Sequence, residues 1–323
     1  MLFRVYLFKT FKKLNIMNKY NKKLTLLDLG EEDIIKYLSK FAHPHKRIVH
    51  GIGDDCAVCS ITGNTNNDQV FTSDATIQDT HFSIQDTPEK IGYKAIGRAY
   101  SDLASMGAYP EWVLINVVAP KEMQLCFLEK IYNGILERMD VYGGTLIGGD
   151  LSEGEQLSLN VFATGLLPHG TAVTRIGALK DDIIWTTGKL GNSSEGKHLN
   201  FIPRIKEGIW LREHQYVHSM TDLSDGLFID LNHIVNDTSL DAVLEMKILK
   251  EMAEIKNVLH DGEDYELLFT TPSDIEKKLM MEWYERFDQP LYKIGKIEEG
   301  KGKIKIRDQK KDYSIESPRN HHF

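Results

Sequence analysis

Seven aspartates stand beside glycines or at the ends of apolar runs. Asp54 and Asp55 lie in Gly51-Ile-Gly-Asp-Asp-Cys-Ala-Val58, and Asp74 follows Thr72-Ser73. Asp102 follows Ser101, Asp150 follows Gly148-Gly149, and Asp222 and Asp225 bracket a Leu-Ser pair. Adjacent carboxylates such as Asp54 and Asp55 repel unless a cation lies between them or they point apart. Magnesium is a hard, octahedral cation that takes a few carboxylates together with water and phosphate oxygens. Loops beside strand ends can gather such groups without burying charge in a core. These five clusters therefore point to a magnesium and phosphate site. Each aspartate taken singly also suits a helix cap or a turn, Asp150 and Asp225 most of all.

Other residue types admit two readings each. Arg175, in Val173-Thr-Arg-Ile-Gly177, could grip a phosphate bidentately or stand as a surface arginine. His81 could be a base, a ligand or a structural histidine. Glu263 and Asp264, in His260-Asp-Gly-Glu-Asp264, could serve a site or form an acidic turn. Gly191-Asn-Ser-Ser-Glu-Gly-Lys197 fits the first seven positions of a P-loop, but His198 stands where Ser or Thr would hold magnesium. A Walker-type ATPase is disfavoured, while a turn with free backbone N–H groups stays open. Cys56 and Cys59 form a C-x-x-C with no second pair, so small apolar packing is favoured over zinc or redox chemistry. No G-x-G-x-x-G follows a strand, and neither G-x-S-x-G nor H-E-x-x-H occurs.

The elements that must position these groups alternate between helical and strand patterns. Helices are expected over 26–41, from Pro88 to Leu103, over 127–139, 202–213 and 227–235, and after Pro272. Strands are expected at 70–72, 112–118, 145–147, 157–164, 182–187, 242–246, 265–271, 291–297 and 302–307, and 216–220 leads into the Asp222 cluster. The Pro168-His-Gly170 break separates two comparable halves, as suits a chain of 323 residues. The expected division is a basic, disordered extension over 1–24, a domain over 25–167 and a second over 168–323. A net charge of −8 argues against nucleic acid and anionic membranes as partners. No apolar run is long enough to span a bilayer. Three cysteines suit a reducing, cytoplasmic setting.

In order, GIGDDCAV (51–58), TSDATIQDTHF (72–82), SDLASMGAYP (101–110), LIGGD (146–150), VTRIGA (173–178), TDLSDGL (221–227) and DGEDYELLF (261–269) resemble thiamine-monophosphate kinase. That family belongs to the aminoimidazole-ribonucleotide-synthetase-like ATP-binding superfamily, and the resemblance covers nearly everything after about Leu26. It implies an α/β (α+β), two-domain fold with mixed sheets and a homodimer formed through the N-terminal domains. The implied reaction is phosphorylation of thiamine monophosphate by ATP with several Mg²⁺ ions. Carried over by motif, Asp54, Asp55, Thr72, Ser73, Asp74, Asp102, Asp150, Asp222 and Asp225 would hold metal. Tyr132, Gly149, Asp150, Arg175 and Ser224 would contact ATP, and His81 and Glu263 the thiamine phosphate. Asp74, Asp225 and Arg175 would support the transition state, with no protein nucleophile. The short 191–222 and 240–260 segments mark a compact subgroup, and the terminal Arg319-Asn-His-His-Phe323 lacks the ring expected near thiamine. The alternatives are a superfamily enzyme with another small acceptor and a non-catalytic nucleotide-binding scaffold.

Overall fold

The computed structural model describes residues 31–63, 66–236, 238–309 and 311–315. The basic extension over 1–24 and the Arg319–Phe323 tail lie outside these residues. Two compact units are distinguished, 1–45 with 317–323, and 46–316. Within the first unit, α1 (Glu31–Leu38) runs into a short 3₁₀ turn at Ser39–Phe41, inside the span expected to be helical. His43-Pro44 follows, and proline disfavours helical backbone at the residue before it.

The larger unit is built on two mixed sheets. Strands β1 (Ile48–His50), β2 (Ala57–Ser60), β3 (Asn67–Ile77), β4 (Tyr109–Ala119), β5 (Thr145–Glu153) and β6 (Ser158–Pro168) form the first. Its order is β1-β2-β3-β6-β4-β5, antiparallel except where β4 and β5 run parallel. Strands β7 (Ile183–Thr187), β8 (Ser219–Asp222), β9 (Leu240–Glu245), β10 (Leu267–Thr271), β11 (Leu291–Glu299), β12 (Ile304–Asp308) and β13 (Lys311–Ser314) form the second. Its order is β13-β12-β9-β11-β7-β10-β8, with β12 and β9 the parallel pair.

The central strands of the second sheet are apolar on both faces because both are covered. In β7, Ile183 and Trp185 enter one core and Ile184 enters another, and β10 divides Leu267 and Phe269 from Leu268 in the same way. That division follows the two-residue repeat of a strand. The first core also receives the inner face of the first sheet, α2 (Pro88–Ser105) and α3 (Leu125–Tyr142). The second is roofed by α5 (Leu227–Val235) and by α6 (Met246–Met252) and α7 (Ile255–His260). Helices α4 (Ile205–Glu213) and α8 (Glu276–Arg286) complete the set, α4 packing on α2.

Helix α2 is the axis of the unit. Pro88 at its first turn has no N–H to leave unpaired, and its fixed φ already suits a helix. Gly107, at φ +69°, reverses the chain at the other end, and the N–H of Ala108 bonds the Leu103 carbonyl at 2.9 Å. A side chain on Gly92 or Gly134 would strike the backbone of the facing helix, so α2 and α3 pack with their backbones nearly in contact.

Two expectations change. Gly148-Gly149-Asp150 is no loop between strands but the middle of β5, which continues to Glu153. The 70–72 strand is much longer, because β3 carries polar residues that the pattern alone reads as turn. The short 240–260 stretch holds two helices that sequence periodicity did not show. Among the described residues no helix is long and apolar enough to cross a membrane.

Candidate active site

The Gly51–Val58 stretch turns at Gly53, whose φ of +124° an L side chain rarely adopts. Beyond that turn Asp54 and Asp55 are held apart around Arg175. Asp54 accepts the N–H of Asp55 at 2.9 Å and the N–H of Arg175 at 3.1 Å. Asp55 takes the Arg175 guanidinium through Nε at 2.8 Å and again through Nη2. It also accepts the Thr221 hydroxyl at 3.1 Å. Arg175 thus bonds both carboxylates of the pair, which eases part of the expected repulsion.

Three separate elements then converge. Asp55 from the turn, Asp102 from α2 and Asp222 from the end of β8 bring one carboxylate oxygen each within 4.8 Å of the others. Thr72 donates its hydroxyl to Asp102, and the Ser105 hydroxyl bonds the Asp102 carbonyl at 2.7 Å. Burial pushes the Asp54 carboxyl up to about 7 and Asp222 up to about 8, the charge of Asp55 adding to each. Burial, then Asp74, pushes Asp102 well up as well. One oxygen of Asp55, one of Asp74 and both of Asp222 are buried without a well-formed hydrogen bond. The Ser101 hydroxyl still lowers the Asp222 pKa a little against burial. Buried carboxylate oxygens of this kind cost stability unless a partner arrives. Several such groups facing one point make a donor set of hard oxygens, the chemistry that a divalent magnesium ion fits.

A second network adjoins the first. Lys94, fully buried on α2, bonds Glu263 at 2.6 Å, His198 Nδ1 at 2.9 Å and the His81 carbonyl. One turn along, Arg98 donates to the Tyr265 hydroxyl at 2.9 Å and reaches Glu263 at 3.5 Å and Asp74 at 3.4 Å. Glu263 and Tyr265 hold φ of +65° and +51°, a strained backbone for such side chains. Tyr265 is held there by Phe201, with ring centroids 4.0 Å apart. The arrangement places hard oxygen ligands at one end and buried cations around a carboxylate at the other. Such an arrangement has the charges to position and neutralise phosphorylated molecules.

The family model for AIR synthase related protein, N-terminal domain, matches residues 53–167. Thiamine-monophosphate kinase of Buchnera aphidicola subsp. Acyrthosiphon pisum is 34% identical over 270 residues, covering 74% of this chain and 82% of that protein. The chain belongs to the thiamine-monophosphate kinase family. Among solved structures, thiamine-monophosphate kinase from Stenotrophomonas maltophilia K279a aligns with a TM-score of 0.69 at 29% identity, covering 85% of this chain and 94% of that one. AaThiL complexed with AMPPCP and TMP aligns with a TM-score of 0.72 at 26% identity, over 91% and 99% of the two chains.

Within this member of the kinase family, the residues expected from sequence do not all gather. Asp54, Asp55, Thr72, Asp74, Asp102, Asp222 and Arg175 meet around the cluster, and Glu263 stands at its far end. Asp225 lies beyond β8, its N–H bonded at 3.1 Å to the buried Asp230 of α5. Ser73 alternates to the opposite face of β3 from Thr72 and Asp74 and is exposed, so its side chain does not join them. Asp150 is exposed on edge strand β5 and accepts the Ser152 hydroxyl at 2.8 Å. Gly149 is required by packing, since a Cβ there would overlap the Ile115 backbone of β4. Tyr132 is half-buried against the first core. Ser224 gives its carbonyl to the N–H of Glu263 at 2.8 Å. His81 Nδ1 accepts the Ile77 N–H at 3.0 Å and so closes the turn after β3.

The partial P-loop is already filled by the protein's own carboxylates. Gly191 and Asn192 give their N–H groups to Asp264 and Asp261, at 2.9 and 2.8 Å. Lys197 pairs with Asp264 at 2.9 Å and Glu266 at 3.2 Å. Cys56 packs, buried, with its sulfur 3.5 Å from the Asp102 carbonyl. Sequence reasoning missed Thr221, Tyr265, Asp230, Lys94 and Arg98. The last two had a legible signal, because 94, 98 and 102 repeat at helical spacing and share one face of α2.

Proposed function

We infer that the chain transfers the γ-phosphoryl group of ATP to the phosphate of thiamine monophosphate, giving ADP and thiamine diphosphate. The observation that carries this is the convergence of Asp55, Asp102 and Asp222, with unsatisfied buried oxygens on Asp55 and Asp222, beside the cations Lys94 and Arg98 paired with Glu263. The complex of AaThiL with AMPPCP and TMP supports ATP as co-substrate and thiamine monophosphate as acceptor.

In this reading the terminal P–O bond of ATP breaks as an oxygen of the acceptor phosphate forms the new one. That oxygen is already ionised near neutral pH, so no strong general base is required. The side chains act by holding and neutralising. Arg175, anchored by Asp54 and Asp55, is set to face the ATP phosphates, with Tyr132, Gly149, Asp150 and Ser224 as further nucleotide contacts. His81 and Glu263 belong to the acceptor end, Asp74 stands between, and Asp225 joins it as transition-state support on sequence resemblance. Mg²⁺ held by Asp55, Asp102 and Asp222, with Asp54, Thr72, Asp74 and Asp225 in support, would offset the mutual repulsion of the two anionic substrates. Ser73 and Asp150 enter this set on sequence resemblance alone.

We also propose a domain division at 167/168, a cytoplasmic setting that suits three free thiols, and a homodimer through the first sheet. The exposed Ile147 and Leu151 on edge strand β5 support the dimer. A light-scattering mass near the monomer value of 36.9 kDa would remove it. The function itself is tested by incubating purified chain with ATP, Mg²⁺ and thiamine monophosphate and resolving the products chromatographically. Thiamine diphosphate is expected, and none at saturating Mg²⁺ sinks the assignment.

A further inference from the structure

We propose that Arg98 binds the phosphate group of the acceptor and is thereby the residue that selects a phosphorylated acceptor over the free alcohol. The proposal rests on the kinase reading above and adds to it a side chain that no motif assigned.

Helix α2 links the two ends of the site. Lys94, Arg98 and Asp102 stand at successive i, i+4 positions, about 6 Å apart along the axis. Asp102 belongs to the oxygen cluster at one end, and Lys94 bonds Glu263 at the other. Arg98 lies midway, touching Asp74 on the cluster side and Glu263 on the acceptor side. An acceptor phosphate bound between the oxygen cluster and Glu263 would lie beside this guanidinium.

The bonding of Arg98 is that of a side chain still able to take an anion. A guanidinium has five N–H donors in a planar fork that matches phosphate oxygens. Only the Tyr265 hydroxyl, at 2.9 Å, is a full-strength partner, while the carboxylates of Asp74 and Glu263 lie at 3.4 and 3.5 Å. Arg98 Nε and the second oxygen of Asp74 are buried and have no hydrogen-bond partner. Arg204, by contrast, is engaged by Glu266 through two bonds of 2.7 and 3.0 Å.

Lys94 has a different part. Its ammonium has three donors, and Glu263, His198 and the His81 carbonyl take all three. It is a positioning residue that fixes Glu263 and leaves Arg98 as the cation able to turn. An arriving phosphate dianion would otherwise meet the Asp74 carboxylate unscreened, and Arg98 offsets that repulsion.

Thermal melts of Arg98→Met and Arg98→Lys first establish that the variants fold. Calorimetry then measures thiamine monophosphate, free thiamine, and a non-hydrolysable ATP analogue with Mg²⁺. For Arg98→Met, thiamine monophosphate should bind about 30-fold more weakly, as loss of a charged hydrogen-bonding fork implies. Affinities for thiamine and the ATP analogue should stay within about twofold, and added guanidinium should restore part of the turnover. Arg98→Lys keeps the charge without the fork, and about a fivefold loss confined to thiamine monophosphate is expected. It carries the test if Arg98→Met does not fold. Equal losses for thiamine and its phosphate, a loss on the ATP side, or unchanged thiamine monophosphate affinity would each overturn the proposal. A wild-type chain that makes no thiamine diphosphate is a different failure, of the kinase reading itself, and takes this proposal with it.

Discussion

Glu266 and Asp222 sit almost side by side in the second sheet, where Leu223 N–H bonds the Glu266 carbonyl at 2.9 Å, and each is nearly inaccessible. Their surroundings are opposite. Glu266 takes two bonds from Arg204, one from the Thr187 hydroxyl at 2.9 Å and an ion pair from Lys197. Asp222 has no well-formed hydrogen bond to either oxygen, and its nearest charged influence is another carboxylate, Asp55. Asp241 follows Glu266: it accepts N–H groups from Lys301 and Lys303 and pairs with Lys305 at 2.6 Å. Asp55 and Asp74 follow Asp222 in part, each with one oxygen satisfied and one not. Glu266 and Asp241, which hold the fold together, are saturated by the chain, while Asp222, Asp55 and Asp74 each keep at least one buried oxygen short of partners. The difference separates structural from functional acids where burial alone cannot.

Substitution on each side of that contrast should move different observables. Asp222→Asn should lower turnover by about three orders of magnitude, as loss of a charge that anchors phosphoryl-transfer electrostatics does. The same change removes like-charge repulsion, so the cation-free variant should melt no lower than wild type. A fall in melting temperature with turnover retained would place Asp222 among the structural acids. Glu266→Gln should do the reverse, costing about 3 kcal/mol of stability because Arg204 and Lys197 lose a buried counter-charge. Denaturant titration measures that cost, and acceptor and nucleotide affinities should stay near wild type wherever the variant is folded.

The smallest effect is on pH. Asp54 and Asp222 ionise near 7 and 8 in the folded chain instead of at their ordinary 3.8. The folded state therefore holds protons that the unfolded state has already released, and stability falls as pH rises through that window. Cation-free protein should melt higher at pH 5.5 than at pH 8.5, by on the order of 5 °C. Mg²⁺ with ATP should reduce the gap, since it stabilises the ionised carboxylates. A cation-free melting temperature that rises with pH would contradict the burial of these two acids.

Much of this architecture was legible in the residues. Helix α2 announced itself through Pro88, its apolar spacing and the Gly107–Pro110 ending, because those signals act locally. The long strand β3 did not, since Asp68, Gln69, Ser73 and Asp74 are poor strand formers held there by pairing with β6 along its whole length. Gly149, a nucleotide contact by resemblance, is also where β5 passes tightly against β4, which its local sequence does not show. Tertiary packing outweighed local preference in each case.

The sequence by itself determined the family, the mixed α/β class and the acidic motifs, because residue types and short spacings are written along one chain. It could not tell which acids are partnered, since partners arrive from segments far apart: Thr221 and Arg175 to Asp55, Arg204 to Glu266, Tyr265 and Glu263 to Arg98. Only the tertiary structure decided that Ser73 and Asp150 stand on exposed positions while Asp55, Asp102 and Asp222 converge. The same folding set Lys94 and Arg98 opposite Glu263. Strand alternation and helical periodicity fix which face a residue takes, and packing alone fixes what that face meets.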